Sequence, residues 1–317
     1  MRDWARVGAH EIRQALPNVD NAELFPGFAT HRVTGPAGVL HVRVGGAGPA
    51  LLCLHGYPQT HVCWHRVAPR LAETSTVVLM DLRGYGASDA PPGDMAHTLY
   101  SKREMARDCL AVMTALGFQR FDVMGHDRGA RVAYRLALDH PDAVGCLIIL
   151  DIVPTSEAWG RTTAASAVKA YHWAFLAQPK PMPETLINGA SRLYVDHTLA
   201  SWTRSRTLEA LDPRALVHYR ALMADPARVH AVCEDYRAGY HVDRVIDEAD
   251  RVAGRTITAP TLVLWGSDYL GKGSTDVLAV WRTWAPGAVG RVIESGHFLV
   301  EENPDATLAA VAAFLGR

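Results

Sequence analysis

Apolar residues along the first half of the chain fall into short runs that alternate with helical stretches. Gly38–Val44, Ala50–Leu54, Ser75–Asp81, Phe121–Gly125 and Gly145–Leu150 read as strands. Between them, helical patterns occupy part of His61–Glu73, then Lys102–Leu116 and Arg128–His140. Such alternation predicts an α/β architecture: a mostly parallel sheet flanked by helices on both faces. From about Thr155 to Arg255 the pattern changes to helical periodicity rich in Trp, Tyr, Ala and Leu, broken by prolines at Gln178-Pro-Lys-Pro-Met-Pro. Strand patterns return at Pro260–Trp265 and Gly290–Ile293, before a last helix around Pro304–Leu315. The expected organisation is a core built from 1–154 and 256–317, with 155–255 inserted as a helical cap, a natural lid over a pocket.

Composition narrows the class. The 317 residues are 49% hydrophobic and 21% charged, as in an ordinary globular enzyme. A net charge of -1 leaves no footprint for nucleic acid or an anionic membrane. No apolar run approaches the roughly 20 residues of a membrane span, and the charged start lacks a signal peptide's apolar stretch. The five cysteines are scattered without CxxC spacing, which argues against a disulfide framework or a zinc site. The expectation is a cytoplasmic protein with no metal and no cofactor, acting on a small molecule.

The segment that carries chemistry is Val123-Met-Gly125-His126-Asp127-Arg128-Gly129-Ala-Arg131. It follows a strand and opens a helix, matching the nucleophile-elbow pattern G-x-S-x-G with aspartate in the serine's place. The bland alternative is a chance strand-to-helix turn in which Asp127 only caps the helix. Three features weigh against chance. His55-Gly56-Tyr57-Pro58 follows an apolar strand where an oxyanion loop belongs, Asp151 closes the strand after the elbow helix, and Ser295-Gly296-His297-Phe298 follows the last strand-like run. The order is nucleophile Asp127, orienting acid Asp151, base His297. Asp268, in Trp265-Gly-Ser-Asp268, is the rival orienter.

Aspartate at the elbow changes the reaction. With a reference pKa of about 3.9 it is already an anion at neutral pH, able to attack an sp³ carbon and form an ester. A neutral imidazole at His297 would then activate water against that ester, while the backbone N–H groups of Tyr57 and Arg128 hold the oxyanion. Carbon–halogen bonds and epoxides both suit this design. Arg128 and Arg131 sit in the first turn of a helix, where the macrodipole disfavours cations. They make sense as a clamp for a substrate carboxylate, which a neutral epoxide lacks.

With these residues in view, the chain resembles the fluoroacetate dehalogenases of the α/β-hydrolase superfamily. The matching pieces include His55-Gly-Tyr-Pro-Gln-Thr-His61, Gly125-His-Asp-Arg-Gly-Ala-Arg131, Leu150-Asp151-Ile, Tyr171-His172-Trp173, Ser201-Trp202-Thr-Arg, Cys233-Glu-Asp-Tyr236-Arg-Ala-Gly and Glu294-Ser-Gly-His297-Phe. The resemblance implies the roles just given and adds three more groups: His172, Trp173 and Tyr236 as hydrogen-bond donors to the departing fluoride. It places Trp202 on the substrate-pocket wall and implies a homodimer that needs no cofactor. Residues 1 to about 23 extend beyond the usual family start, and the glycine-containing Tyr269–Ser274 departs from the pattern. Two other readings stand beside this one. An epoxide hydrolase would use the same Asp127 with two cap tyrosines, among Tyr171, Tyr194, Tyr219 and Tyr236. A binding protein would merely borrow the scaffold.

Overall fold

The computed structural model describes residues 21–273 and 275–317. Most of the N-terminal extension and Ser274 therefore lie outside the described residues. Eight strands form one sheet: β1 (Ala29–Gly35), β2 (Gly38–Gly45), β3 (Ala50–Leu54), β4 (Thr76–Met80), β5 (Phe121–His126), β6 (Val144–Leu150), β7 (Thr261–Gly266) and β8 (Val289–Ile293). Their order is β1-β2-β4-β3-β5-β6-β7-β8. β2 runs antiparallel to both neighbours, and β3 to β8 are parallel. The α/β expectation holds.

Sequence reading and structure differ at β1. Its residues, Ala-Thr-His-Arg-Val-Thr-Gly, carry no apolar alternation and lie mostly exposed along the sheet edge. A strand paired on one side only, with little to bury, leaves no period-2 signal. The helix expected within His61–Glu73 is a 3-10 segment, His61–Arg66, followed by the short helix Ala68–Leu71, with Pro69 in its first turn.

The central strands are near-continuous apolar runs because both of their faces are covered: Leu51, Leu52, Cys53 and Leu54 of β3 and Leu147 to Leu150 of β6 are fully buried. Winding reverses at β3, which pairs β4 on one side and β5 on the other. The carboxyl ends of strands at such a reversal open a crevice. The loop after β3 and the elbow after β5 meet there. Between β6 and β7, the described residues from Thr155 to Val252 are helical, with no strand. Among the described residues, no helix is long and apolar enough to cross a membrane.

Candidate active site

β5 ends at His126, and the helix Arg128–Asp139 begins one residue beyond Asp127. Asp127 makes that reversal at φ 44°, ψ -113°, a conformation that costs a non-glycine residue on the order of 1–3 kcal/mol. Its side chain makes no capping hydrogen bond to the helix, so the bland reading of this turn does not describe it. Instead the carboxylate projects into the crevice, where the backbone N–H of Tyr57 donates to Oδ2 at 3.0 Å.

Close packing explains the flanking glycines. A Cβ on Gly125 would sit 2.5 Å from Ala130 Cα, and one on Gly129 would sit 2.3 Å from Leu54 O. Both obstacles are backbone atoms of the elbow and the central sheet, which cannot turn aside. Gly129→Ala is therefore expected to cost about 3 kcal/mol or more of stability. Urea unfolding measures it, and a midpoint equal to the parent's would contradict the packing argument.

Asp151 follows β6 and also has positive φ, 55°. One oxygen accepts from Gly266 N–H at 2.9 Å, and the other lies 2.5 Å from His297 Nδ1. Burial raises the Asp151 pKa above the ordinary carboxylate range, opposed chiefly by the His297 hydrogen bond. An N–H on Nδ1 of His297 faces this acceptor and leaves Nε2 with a lone pair, the tautomer a general base requires. The backbone of His297 is tied on both sides. Its N–H donates to Trp202 O at 2.9 Å, and its carbonyl accepts from His126 Nε2 at 2.8 Å. Asp268 instead pairs with Lys272 at 2.5 Å and Arg204 at 3.0 Å.

Burial pushes the Asp127 carboxyl up, but His297, Arg131, His126 and Arg128 outweigh it and hold the group below its ordinary value. The group is therefore held as the carboxylate anion. Arg131 Nη1 donates to Val153 O and Thr155 Oγ1, each at 3.1 Å, while its Nε is buried without a partner among the described residues. Among the described residues Arg131 makes no salt bridge. Arg128 differs: Nε and Nη2 hold the Asp235 carboxylate at 3.0 and 2.7 Å, and Nη1 is buried without a partner among the described residues. Each guanidinium thus keeps one buried N–H without a partner among the described residues, next to a buried carboxylate.

His172, Trp202 and Tyr236, all from the helical segment, gather around Tyr57, and Trp173 from the same segment packs 6.2 Å from the Tyr236 ring. The His172 ring lies 4.5 Å from Trp202 and 5.6 Å from Tyr236, and the Tyr57 ring lies 5.4 Å from Tyr236. The Arg128 and Arg131 guanidiniums stand 4.2 Å from the Tyr236 ring and 4.5 Å from the Trp173 ring. Burial lowers the His172 pKa to about 3, so the ring is neutral, and its Nδ1 has no partner among the described residues. Burial also raises the Tyr236 hydroxyl well above its ordinary value, and that hydroxyl is likewise unpartnered. Tyr57, His297, Arg128, Arg131, His172 and Tyr236 thus lie within electrostatic or hydrogen-bond reach of Asp127.

Sequence reasoning passed over four residues here. His126 holds the His297 carbonyl, and the Tyr269 ring packs 4.4 Å from the imidazole. Asp235 pairs with Arg128, and Tyr85 donates to Asp235 at 2.7 Å. Asp235 lay within the quoted segment Cys233-Glu-Asp-Tyr236, but an acid on a helix carries no mark of its partner. Metal-ligand atoms come together among the described residues at His41, His61 and Asp81, within 4.8 Å of one another. There Asp81 Oδ1 already accepts from His61 N–H and Nδ1, both at 2.8 Å.

Comparison with known proteins places the chain among relatives. The family model for the alpha/beta hydrolase fold matches residues 49–304. A fluoroacetate dehalogenase from Burkholderia sp is 41% identical over 92% of this chain and 95% of its own. A soluble epoxide hydrolase from Corynebacterium sp. is 30% identical over 87% of this chain and 93% of its own. A solved Pseudomonas aeruginosa protein, provisionally described as an epoxide hydrolase, is 47% identical, covers 92% of this chain and 96% of its own, and superposes with a TM-score of 0.86. The chain belongs to the fluoroacetate dehalogenase family of the α/β-hydrolase superfamily.

Proposed function

We propose that the protein hydrolyses haloacetates, taking fluoroacetate to glycolate and fluoride, with chloroacetate and similar 2-haloacids as further substrates. The observation that carries this reading is the pair of unpartnered guanidinium N–H groups, Arg128 Nη1 and Arg131 Nε, buried beside Asp127. They suit a substrate that brings its own carboxylate.

Tyr57 N–H engages Oδ2 of Asp127, so Oδ1 is the oxygen to attack the halogen-bearing carbon. The new C–O bond forms as the C–F bond breaks, and fluoride leaves with the electron pair. Fluoride is strongly hydrated, so a dry pocket must replace its water with N–H and O–H donors. Neutral His172, the Trp173 indole and the Tyr236 hydroxyl supply them. His297 Nε2 then takes a proton from water, and the hydroxide attacks the ester carbonyl of Asp127. The oxyanion forms at Oδ2, facing Tyr57 N–H, with the Arg128 backbone N–H as second donor. Collapse expels glycolate, which takes the proton from His297. The balance is haloacetate plus water to glycolate, halide and a proton. In this reading 155–255 acts as a cap over the crevice, Trp202 restricts the acyl chain, and the active species is a homodimer, which sedimentation tests.

Trp173→Phe is expected to lower kcat on fluoroacetate about tenfold or more while chloroacetate loses far less, because chloride leaves with less help. Equal losses on both substrates would remove Trp173 from the halide site.

The epoxide reading draws support from the Corynebacterium relative. Two of the four cap tyrosines serve it poorly: Tyr219 donates to Glu301 at 3.1 Å, and Tyr171 is exposed at the surface. Diol formation from styrene oxide without halide release from haloacetates would favour it.

A further inference from the structure

Asp235 lies in the helix Pro226–Ala238 and is fully buried. Four donors fill its two oxygens. Oδ1 accepts from Arg128 Nη2 at 2.7 Å and from Lys102 Nζ, and Oδ2 accepts from Arg128 Nε at 3.0 Å and Tyr85 Oη at 2.7 Å. The same Arg128 Nη2 also donates to the Asp235 carbonyl at 2.7 Å. Beyond this helix the backbone passes into a π-turn, Gly239–Asp243. A Cβ on Gly239 would stand 3.2 Å from Arg128 Nη2, so the glycine leaves room for the guanidinium. On the far side, Lys102 Nζ also lies 3.3 Å from Asp243 Oδ2, and the Lys102 backbone N–H donates to Asp243 Oδ1 at 2.8 Å.

This arrangement fixes which edge of Arg128 is open. The bidentate edge, Nε and Nη2, is consumed, and Nη1 is left buried without a partner among the described residues. A free guanidinium one residue from a buried carboxylate would fold onto it, and a salt bridge to Asp127 would quench the nucleophile. Resting on the reading above, we infer that Asp235 is a positioning residue: it holds Arg128 away from Asp127 and presents one N–H of it to the substrate carboxylate, leaving Arg131 as the main anchor. Lys102 and Tyr85 in turn keep Asp235 in place and balance its charge. The clamp is thus asymmetric, with one paired arginine and one unpaired.

The test is a double-mutant cycle with Asp235→Asn, Arg128→Gln and their combination. Two readouts are taken: haloacetate turnover, and the dissociation constant of glycolate by calorimetry. Asp235→Asn is expected to weaken glycolate binding by on the order of tenfold to a hundredfold and to lower kcat as Arg128 turns toward Asp127. The double variant is expected to be no worse than Arg128→Gln alone, because Asp235 acts only through that arginine. Lys102→Met with Asp235→Asn removes one charge of each sign and keeps the test open if the single variant fails to fold. It is expected to show the same weakened binding. Unchanged glycolate binding in the Asp235 variants, or losses that multiply in the double variant, would overturn the inference. A parent enzyme that binds glycolate but releases no halide would sink the proposed reaction and leave the positioning claim to be judged on binding alone.

Discussion

Asp127→Asn is expected to abolish halide release from fluoroacetate and chloroacetate, with kcat reduced by about 10⁴-fold or more. The amide nearly matches the carboxylate in shape, so Tyr57 N–H still finds an oxygen to hold and the elbow keeps its geometry. What disappears is the negative charge. In the proposed reaction the carboxylate attacks because it is ionised, and His297, Arg131 and their neighbours keep it ionised despite its burial. A neutral amide in the same place lacks that nucleophilicity, and Arg131, which makes no salt bridge among the described residues, also loses the charge of Asp127. Purified variant and parent are compared by ion-selective electrode, with circular dichroism as the folding control. A variant retaining a tenth of the parent rate would mean that water attacks the substrate directly.

The second large effect separates the two chemical steps. His297→Asn is expected to pass the first step and stop at the ester, releasing about one halide per active site and then turning over at least about 10³-fold more slowly. The displacement needs no proton transfer, since Asp127 is already an anion, whereas hydrolysis needs a base to take a proton from water. In the proposed reaction that base is His297 Nε2, opposite the nitrogen that faces Asp151. Mass spectrometry of the peptide containing Asp127 should show a gain of about 58 Da, the carboxymethyl group, after exposure to fluoroacetate. Parent-rate turnover, or an unmodified peptide with no halide released, would remove His297 from the role of base or give it one in the first step.

Much of this site was legible in the sequence because the fold places chemistry at strand ends. Asp127, Asp151 and His297 each follow a run of apolar residues, and the order of those runs fixes which carboxyl ends meet. Gly125 and Gly129 were legible because tight backbone approach admits little else. Illegible features depend on partners far away in the chain. Arg128 and Asp235 stand 107 residues apart, and nothing local distinguishes an arginine awaiting a substrate from one already paired. Two arginines near a carboxylate therefore read as equals, although the structure makes them unequal. β1 escaped for another reason. Periodicity reports burial, and an exposed edge strand made of Thr, His, Arg and Gly buries little on either face.

The most direct test of the central claim gives the purified parent enzyme fluoroacetate in one vessel and styrene oxide in another, following fluoride, glycolate and diol. The account predicts fluoride and glycolate in equal amounts from the first, and no diol from the second. Diol from the epoxide with no fluoride from fluoroacetate would contradict it, and would mean that the unpartnered N–H groups of Arg128 and Arg131 hold something other than a haloacetate carboxylate.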